Sequence, residues 1–165
     1  MIFEGRCWKF GDNIPTDRLV KSKYVFEPMS QIVTHVLEDL NREFPLNVQP
    51  GDIVVAGKHF GQSSGRAIAA KALKATGIGC VVARTFARTF YRNCFEVGLP
   101  ALELASAGDL VSDGDQLRVD LTAGVLENLT TGARGTAPAA DPFLVSMLEA
   151  GGLIKLAAAR PEIFG

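Results

Sequence analysis

Two spacings of apolar residues alternate along this chain, and each change of spacing marks an element. From Pro28 onward, Ile32, Val33, Val36, Leu37 and Leu40 recur at helical spacing up to Phe44-Pro45. This predicts one helix with a packing face, started by a proline whose missing N–H would be unpaired in a first turn anyway. Ile53-Val54-Val55-Ala56 is a short β-branched run of the kind that forms a buried strand. A glycine- and serine-rich loop, 57–65, follows, then an alanine-rich helix over 66–76 that Gly77 stops. The pass is made again with a strand over 80–83, a helix over 86–96 and, after Gly98-Leu99-Pro100, a strand at 101–104.

Beyond Asp113-Gly114-Asp115 the period drops to two. Leu117-Arg118-Val119-Asp120-Leu121 alternates, and 125–129 is placed to pair with it as a hairpin. Residues 142–150 read as a helix ended at Gly151-Gly152. Two loops are expected: 10–17, rich in Gly, Asp, Asn and Pro, and 131–140, poor in apolar residues and expected to be mobile. Strand–helix–strand passes followed by a hairpin give an α/β fold. With no internal repeat and no linker, residues 1–165 read as a single domain.

The charges nearly cancel, with 17 Lys and Arg against 18 Asp and Glu, so no basic excess is available to hold a nucleic acid or membrane surface. Small molecules and proteins are the expected partners. No apolar run near Met1 suits a signal core or a membrane span, which predicts a cytoplasmic chain. Cys7, Cys80 and Cys94 are an odd set with no C-x-x-C pair, fitting reduced thiols, and no metal-ligand spacing is visible. Cys80, in Gly79-Cys80-Val81-Val82-Ala83, reads as a small buried hydrophobe.

Candidate chemistry concentrates in Gly57-Lys58-His59-Phe60-Gly61-Gln62-Ser63-Ser64-Gly65-Arg66. Glycines let backbone approach a ligand, and the helix start that follows favours an anion, so the loop suits a carboxylate or phosphate. An ordinary strand-to-helix turn accounts for the same residues. The loop is not a P-loop, and it lacks the G-x-G-x-x-G spacing of dinucleotide sites.

This loop is similar to the G-x-N-F-G-x-G-S-S-R-E-x-A motif of aconitase-family swivelling domains. Two further blocks carry the same resemblance. Phe10-Gly11-Asp12-Asn13-Ile14-Pro15-Thr16-Asp17 resembles the family's D-N-I-x-T-D, and Phe86-Ala87-Arg88-Thr89-Phe90-Tyr91-Arg92-Asn93 with Gly98-Leu99-Pro100 resembles S-F-A-R-I-F-Y-R-N-x-x-x-x-G-L-P. The resemblance implies a swivelling β/β/α domain of the aconitase C-terminal type. It further implies a hydro-lyase of the isopropylmalate isomerase type, in which this small subunit works with a large subunit carrying a 4Fe-4S cluster on its own cysteines. By motif, Ser64 falls on the catalytic serine that removes a proton beside a carboxylate, and Arg66 on the neighbouring arginine. Asp17 falls on an active-site carboxylate facing the partner's histidines; capping a helix or turn is the alternative for it. Thr16, Phe26, Ser63 and Gly65 fall against the substrate.

A serine hydroxyl is a weak acid, so such a base needs backbone N–H groups and a guanidinium to stabilise its alkoxide. The loop departs from the family motif in that His59 stands for asparagine, Ser63 for glycine, Gly65 for the second serine and Ala67 for glutamate. His59 is expected to be a hydrogen-bonded structural histidine. The aromatics of 86–93 are expected in the core, with Arg88 and Arg92 bracing the site or forming surface ion pairs. Relatives acting on tricarboxylates place an arginine where Phe26 stands. An apolar residue there predicts a branched-alkyl malate, 2-isopropylmalate first and citramalate or dimethylmalate next. A non-catalytic interaction subunit is the rival reading that the departures motivate.

Overall fold

The computed structural model describes residues 1–165. Seven strands form one sheet: β1 (Ile2–Lys9), β2 (Ile53–Ala56), β3 (Cys80–Ala83), β4 (Ala101–Glu103), β5 (Gln116–Asp120), β6 (Val125–Asn128) and β7 (Arg134–Thr136), in the order β4-β3-β2-β1-β5-β6-β7. The half from β4 to β1 is parallel and the half from β1 to β7 antiparallel. β2 and β3 are buried at every position, which is why their sequence is an unbroken apolar run and not an alternation. β5 alternates exposed and buried residues because only one of its faces is covered.

The crossover from β1 to β2 holds three short helices, α1 (Thr16–Leu19), α2 (Met29–Ile32) and α3 (Glu43–Asn47). Then come α4 (Ile68–Ala75) and α5 (Arg88–Val97), followed at the C-terminal end by α6 (Pro142–Ala150) and α7 (Leu153–Ala159). Asp141 caps α6, its carboxylate accepting from the Phe143 N–H at 2.8 Å. Both the sheet and the helices feed one core cluster of 41 buried residues. At the edge of that core, the Trp8 indole donates to Asp52 Oδ2 (2.8 Å), and the same oxygen accepts from the Gln49 N–H (2.9 Å), so the buried carboxylate is satisfied.

Four features differ from the sequence reading. The helix expected from Pro28 to Phe44 is broken: α2 runs into a 3₁₀ turn (Val33–His35), and Leu37 turns left-handed at φ 58°. The apolar residues still bury, because Leu37 donates its N–H sideways to the Leu19 carbonyl (3.1 Å) instead of back along a helix. Segment 131–140, expected to be mobile, contains β7, which is paired with β6 from Val125↔Thr136 to Glu127↔Arg134. The helix expected from Arg66 begins at Ile68, leaving Ser64 and Arg66 on irregular backbone ahead of it. Finally, β1 and α7 were not anticipated as elements, although β1 is the sheet's central strand.

Candidate active site

Three loops leave the C-terminal ends of the parallel strands β1, β2 and β3 and hydrogen-bond to one another in layers. From the first layer to the second, the Phe10 N–H donates to the Val55 carbonyl (2.8 Å), Asn13 to Lys58 (2.7 Å) and Thr16 to Gln62 (2.9 Å). Gly57 and Gly61 donate back, to Gly11 (3.0 Å) and Ile14 (2.8 Å). From the second layer to the third, Phe60 donates to the Thr85 carbonyl (3.1 Å) and accepts from Ala87 (2.9 Å). Side chains complete the lock: Asp12 Oδ1 accepts from the Lys58 N–H (2.7 Å) and Thr85 Oγ1 from that of His59 (2.8 Å). The ends of parallel strands are where open α/β sheets place ligands, and here the backbone of three loops is fixed around that point.

Fixing the layers demands unusual backbone. Asn13 (φ 56°), His59 (φ 56°) and Ser63 (φ 86°) are left-handed without being glycine. Such conformations cost about 1 kcal/mol or more and concentrate at functional sites. Gly61, also left-handed at φ 82°, must be glycine because a Cβ there would lie against the Phe90 ring.

Beside these loops lies a cavity of about 300 Å³ lined by Thr16, Asp17, Val20, Ser22 and Val25 on one side and Ser63, Ser64, Arg66, Ile68 and Ala69 on the other. Its polar groups converge from the start of α1 and from the loop before α4, while Val20, Val25, Ile68 and Ala69 supply an apolar wall. Ser64 Oγ accepts from the Arg66 N–H at 3.3 Å, so one backbone donor already points at the hydroxyl. Neither Arg66 nor Asp17 makes a salt bridge within the chain, and Asp17, in the first turn of α1, caps nothing. A guanidinium and a carboxylate free of partners at one cavity are available to a substrate or to a second protein.

Five of the seven sequence-derived site residues therefore meet: Thr16, Asp17, Ser63, Ser64 and Arg66. Gly65 lies outside the cavity, with its carbonyl accepting from Asn93 Nδ2 at 3.0 Å. Phe26 also lies outside it, 98% exposed, so the apolar lining from this segment is Val25, one residue earlier. The irregular turn after the 3₁₀ segment Ser22–Tyr24 sets which residues face inward, and counting from Asp17 could not see it. The His59 ring makes no hydrogen bond; the residue contributes its backbone, and its left-handed φ suits the position that the motif gives to asparagine. Arg88 and Arg92 form no ion pair and line a separate surface depression with His59. The aromatics of that block do pack in the core, with Phe60, Phe86 and Phe90 in mutual contact. Asn93, buried and holding the Ser64 loop through Gly65, was missed because nothing in an aromatic-rich helix separates a loop anchor from a core residue.

Could this chain hold an iron–sulfur cluster? Its donors do not fit. Cys7, Cys80 and Cys94 are buried on β1, β3 and α5, and no group of three metal-ligating side chains converges anywhere. Burial, with help from Asp113 and Asp115, pushes the Cys7 thiol up to about 12, and burial raises Cys80 and Cys94 as well, away from the thiolate a cluster requires. No helix is long and apolar enough to cross a membrane.

Comparison with known proteins agrees with this geometry. The aconitase C-terminal domain family matches residues 17–107. The small subunit 1 of 3-isopropylmalate dehydratase from Thermotoga maritima is 44% identical over 155 residues, 93% of each chain. The isopropylmalate/citramalate isomerase small subunit of Methanocaldococcus jannaschii is 43% identical over 154 residues, covering 93% of this chain and 92% of that one. A crystal structure of 3-isopropylmalate dehydratase from M. jannaschii superposes with a TM-score of 0.91 at 33% identity, over 99% of this chain and 97% of that chain. The sheet, the layered loops and the sequence thus agree, and the chain belongs to the aconitase C-terminal domain family, among the small subunits of 3-isopropylmalate dehydratase.

Proposed function

We propose that this chain is a single swivelling domain that supplies the proton-transfer half of an isopropylmalate isomerase, the other half lying on a large subunit. The observation that carries the reading is the convergence of Ser64, Arg66 and Asp17 on one cavity with an apolar wall. Ser64 takes the proton from the carbon beside a substrate carboxylate and returns it in the hydration step. The Arg66 N–H at its oxygen and the Arg66 guanidinium nearby favour the alkoxide over the neutral hydroxyl. Asp17, exposed and without a partner in the chain, is the carboxylate we assign to the large subunit's histidines. Thr16 and Ser63 add polar groups at the cavity edge.

A 4Fe-4S cluster is assigned to the large subunit, because this chain's thiols do not fit one; bound there, it supplies a Lewis acid for the departing hydroxide. One core around one sheet supports the single-domain reading, and three free, unpaired cysteines support a cytoplasmic setting.

Val20, Val25 and Ile68 are the contacts we assign to the substrate's alkyl group. Citramalate is the second reading, favoured by the relative named isopropylmalate/citramalate isomerase. The test is catalytic efficiency of the reconstituted pair for 2-isopropylmalate, citramalate and homocitrate, with wild type, Val25→Arg and Phe26→Arg. A cation replacing a buried apolar contact should cost Val25→Arg about thirty- to a thousand-fold for 2-isopropylmalate, with a smaller loss for the tricarboxylate, which can pair with it. Phe26→Arg should change the ratio less. An unchanged ratio in Val25→Arg would remove the argument for an alkyl substituent.

A further inference from the structure

The wall of the cavity formed by Val20, Ser22 and Val25 is a short stretch of chain around the single 3₁₀ turn Ser22–Tyr24, and it is gripped from behind. Along it, direction repeats every three residues, as in a 3₁₀ turn. Ser22 and Val25 face the cavity, whereas Lys21 and Tyr24 face a cluster on the turn after α2. The Tyr24 ring lies flat on the His35 ring, centroids 4.0 Å apart and planes 7° from parallel. With its ring proton on Nδ1, His35 donates to Glu38 Oε2 (2.8 Å). The other oxygen of Glu38 takes the Lys21 ammonium at 2.9 Å, and Asp39 takes it at 2.8 Å.

A second, independent observation concerns the backbone. His35 and Glu38 are brought to the same side by Leu37, which is fully buried and left-handed at φ 58°. A leucine in that conformation is strained, and the strain is held by its N–H bond to the Leu19 carbonyl at the other end of the gripped segment. Burial would push the Glu38 carboxyl up, but hydrogen bonds from His35 and Lys21 outweigh it and hold it below its ordinary value. Bonds to Asp39 and Glu38 in turn raise Lys21, so the pair stays ionised.

We infer that His35 and Glu38 are positioning residues that hold the cavity wall Ser22–Val25 in place through Tyr24 and Lys21, and so set how closely the wall meets the substrate's alkyl group. The inference rests on the functional reading above for its substrate, though not for its mechanics. Neither residue touches the cavity. A wall that is held against the alkyl group contributes to binding and discrimination and leaves proton transfer to Ser64.

Two measurements test this. In the pair reconstituted with its large subunit, His35→Ala should raise KM for 2-isopropylmalate about tenfold with kcat within about twofold, and should shrink the preference over citramalate by a few-fold, roughly the range one or two methyl contacts command. Tyr24→Leu should do the same and Tyr24→Phe, which keeps the ring, should recover most of the loss. The double variant His35→Ala/Tyr24→Leu should be no worse than either single one, because both break one contact. Losses that multiply, or a fall in kcat with KM unchanged, would overturn the assignment. The second measurement needs no substrate: in the full chain, His35→Ala should speed amide hydrogen exchange across 21–26 and leave β2 and β3 as protected as before. Unchanged exchange across 21–26 would overturn the brace even if the enzyme is active. A wild type inactive on all alkylmalates would overturn the functional reading and leave the exchange result to decide the brace.

Discussion

Ser63 shows how much the site's residues are set by backbone. It stands where the family motif has glycine and keeps the glycine conformation, φ 86°, so a β-carbon is being forced into left-handed space. Ser63→Gly should therefore stabilise the chain by about 1 kcal/mol, seen as a melting temperature roughly 2–4 °C higher in calorimetry; no rise would mean the serine's own contacts offset the strain. Much of the site was readable at this scale. Glycines, a serine pair and an arginine between a strand and a helix suit an anion or an ordinary turn equally, and it was the resemblance of three motif blocks that picked out Ser64, Arg66, Thr16 and Asp17, which do line one cavity. Phe26 was placed by counting through a turn whose geometry the sequence does not encode in any simple period. Asn93 was invisible for a different reason: its role depends on the carbonyl of Gly65, 28 residues away.

At the scale of elements, legibility followed burial. β2 and β3 are covered on both faces and read at once as apolar runs. β1, just as central, carries Glu4 and Arg6 on one face and ends in an exposed Lys9 on the other, so it shows no unbroken apolar run, and its Gly5 is there because the backbone of Gly51 crosses against it. The helix expected over 28–44 failed because apolar spacing reports which residues bury and not whether the chain between them stays helical. Contacts between elements give two tests. Gly98 ends α5 at φ 79°, and a β-carbon there would meet the Gly151 carbonyl carbon at 2.7 Å, where α6 turns into α7. Gly98→Ala should destabilise by more than about 1 kcal/mol, measured by urea unfolding; a neutral result would mean that the α5–α6 corner yields. Asp115 before β5 accepts from the Ser112 N–H (2.8 Å) and from Asn128 on β6 (2.7 Å). Those bonds hold its carboxyl below the ordinary value. A pKa lower in the folded state means a contribution complete above the unfolded value of about 4 and lost as pH falls through the folded one. Melting temperature should thus decline as pH is lowered from about 5 toward 3, with a shallower decline in Asp115→Asn; identical slopes would remove Asp115 from the account.

For the whole molecule, the parallel half of the sheet builds the site and the antiparallel half extends the core away from it. What the chain exposes at that site is a serine hydroxyl with one backbone donor, an arginine and an outward carboxylate, which the proposed function takes as half of a reaction centre, with no metal-binding cluster of its own. The small subunits to which it is related, over nine-tenths of their length, are named as parts of a larger enzyme. The central claim is that Ser64 provides the proton-transfer base of an alkylmalate isomerase. It is tested most directly by combining the chain with its large subunit under anaerobic conditions and following conversion of 2-isopropylmalate to 3-isopropylmalate by wild type, Ser63→Ala and Ser64→Ala, with assembly of each pair confirmed by gel filtration. The account predicts turnover by wild type, a modest loss in Ser63→Ala, and a loss of about 10²–10⁴-fold in Ser64→Ala with assembly intact. Equal activity of the two serine variants, or a wild-type pair that assembles and converts no alkylmalate, would contradict it.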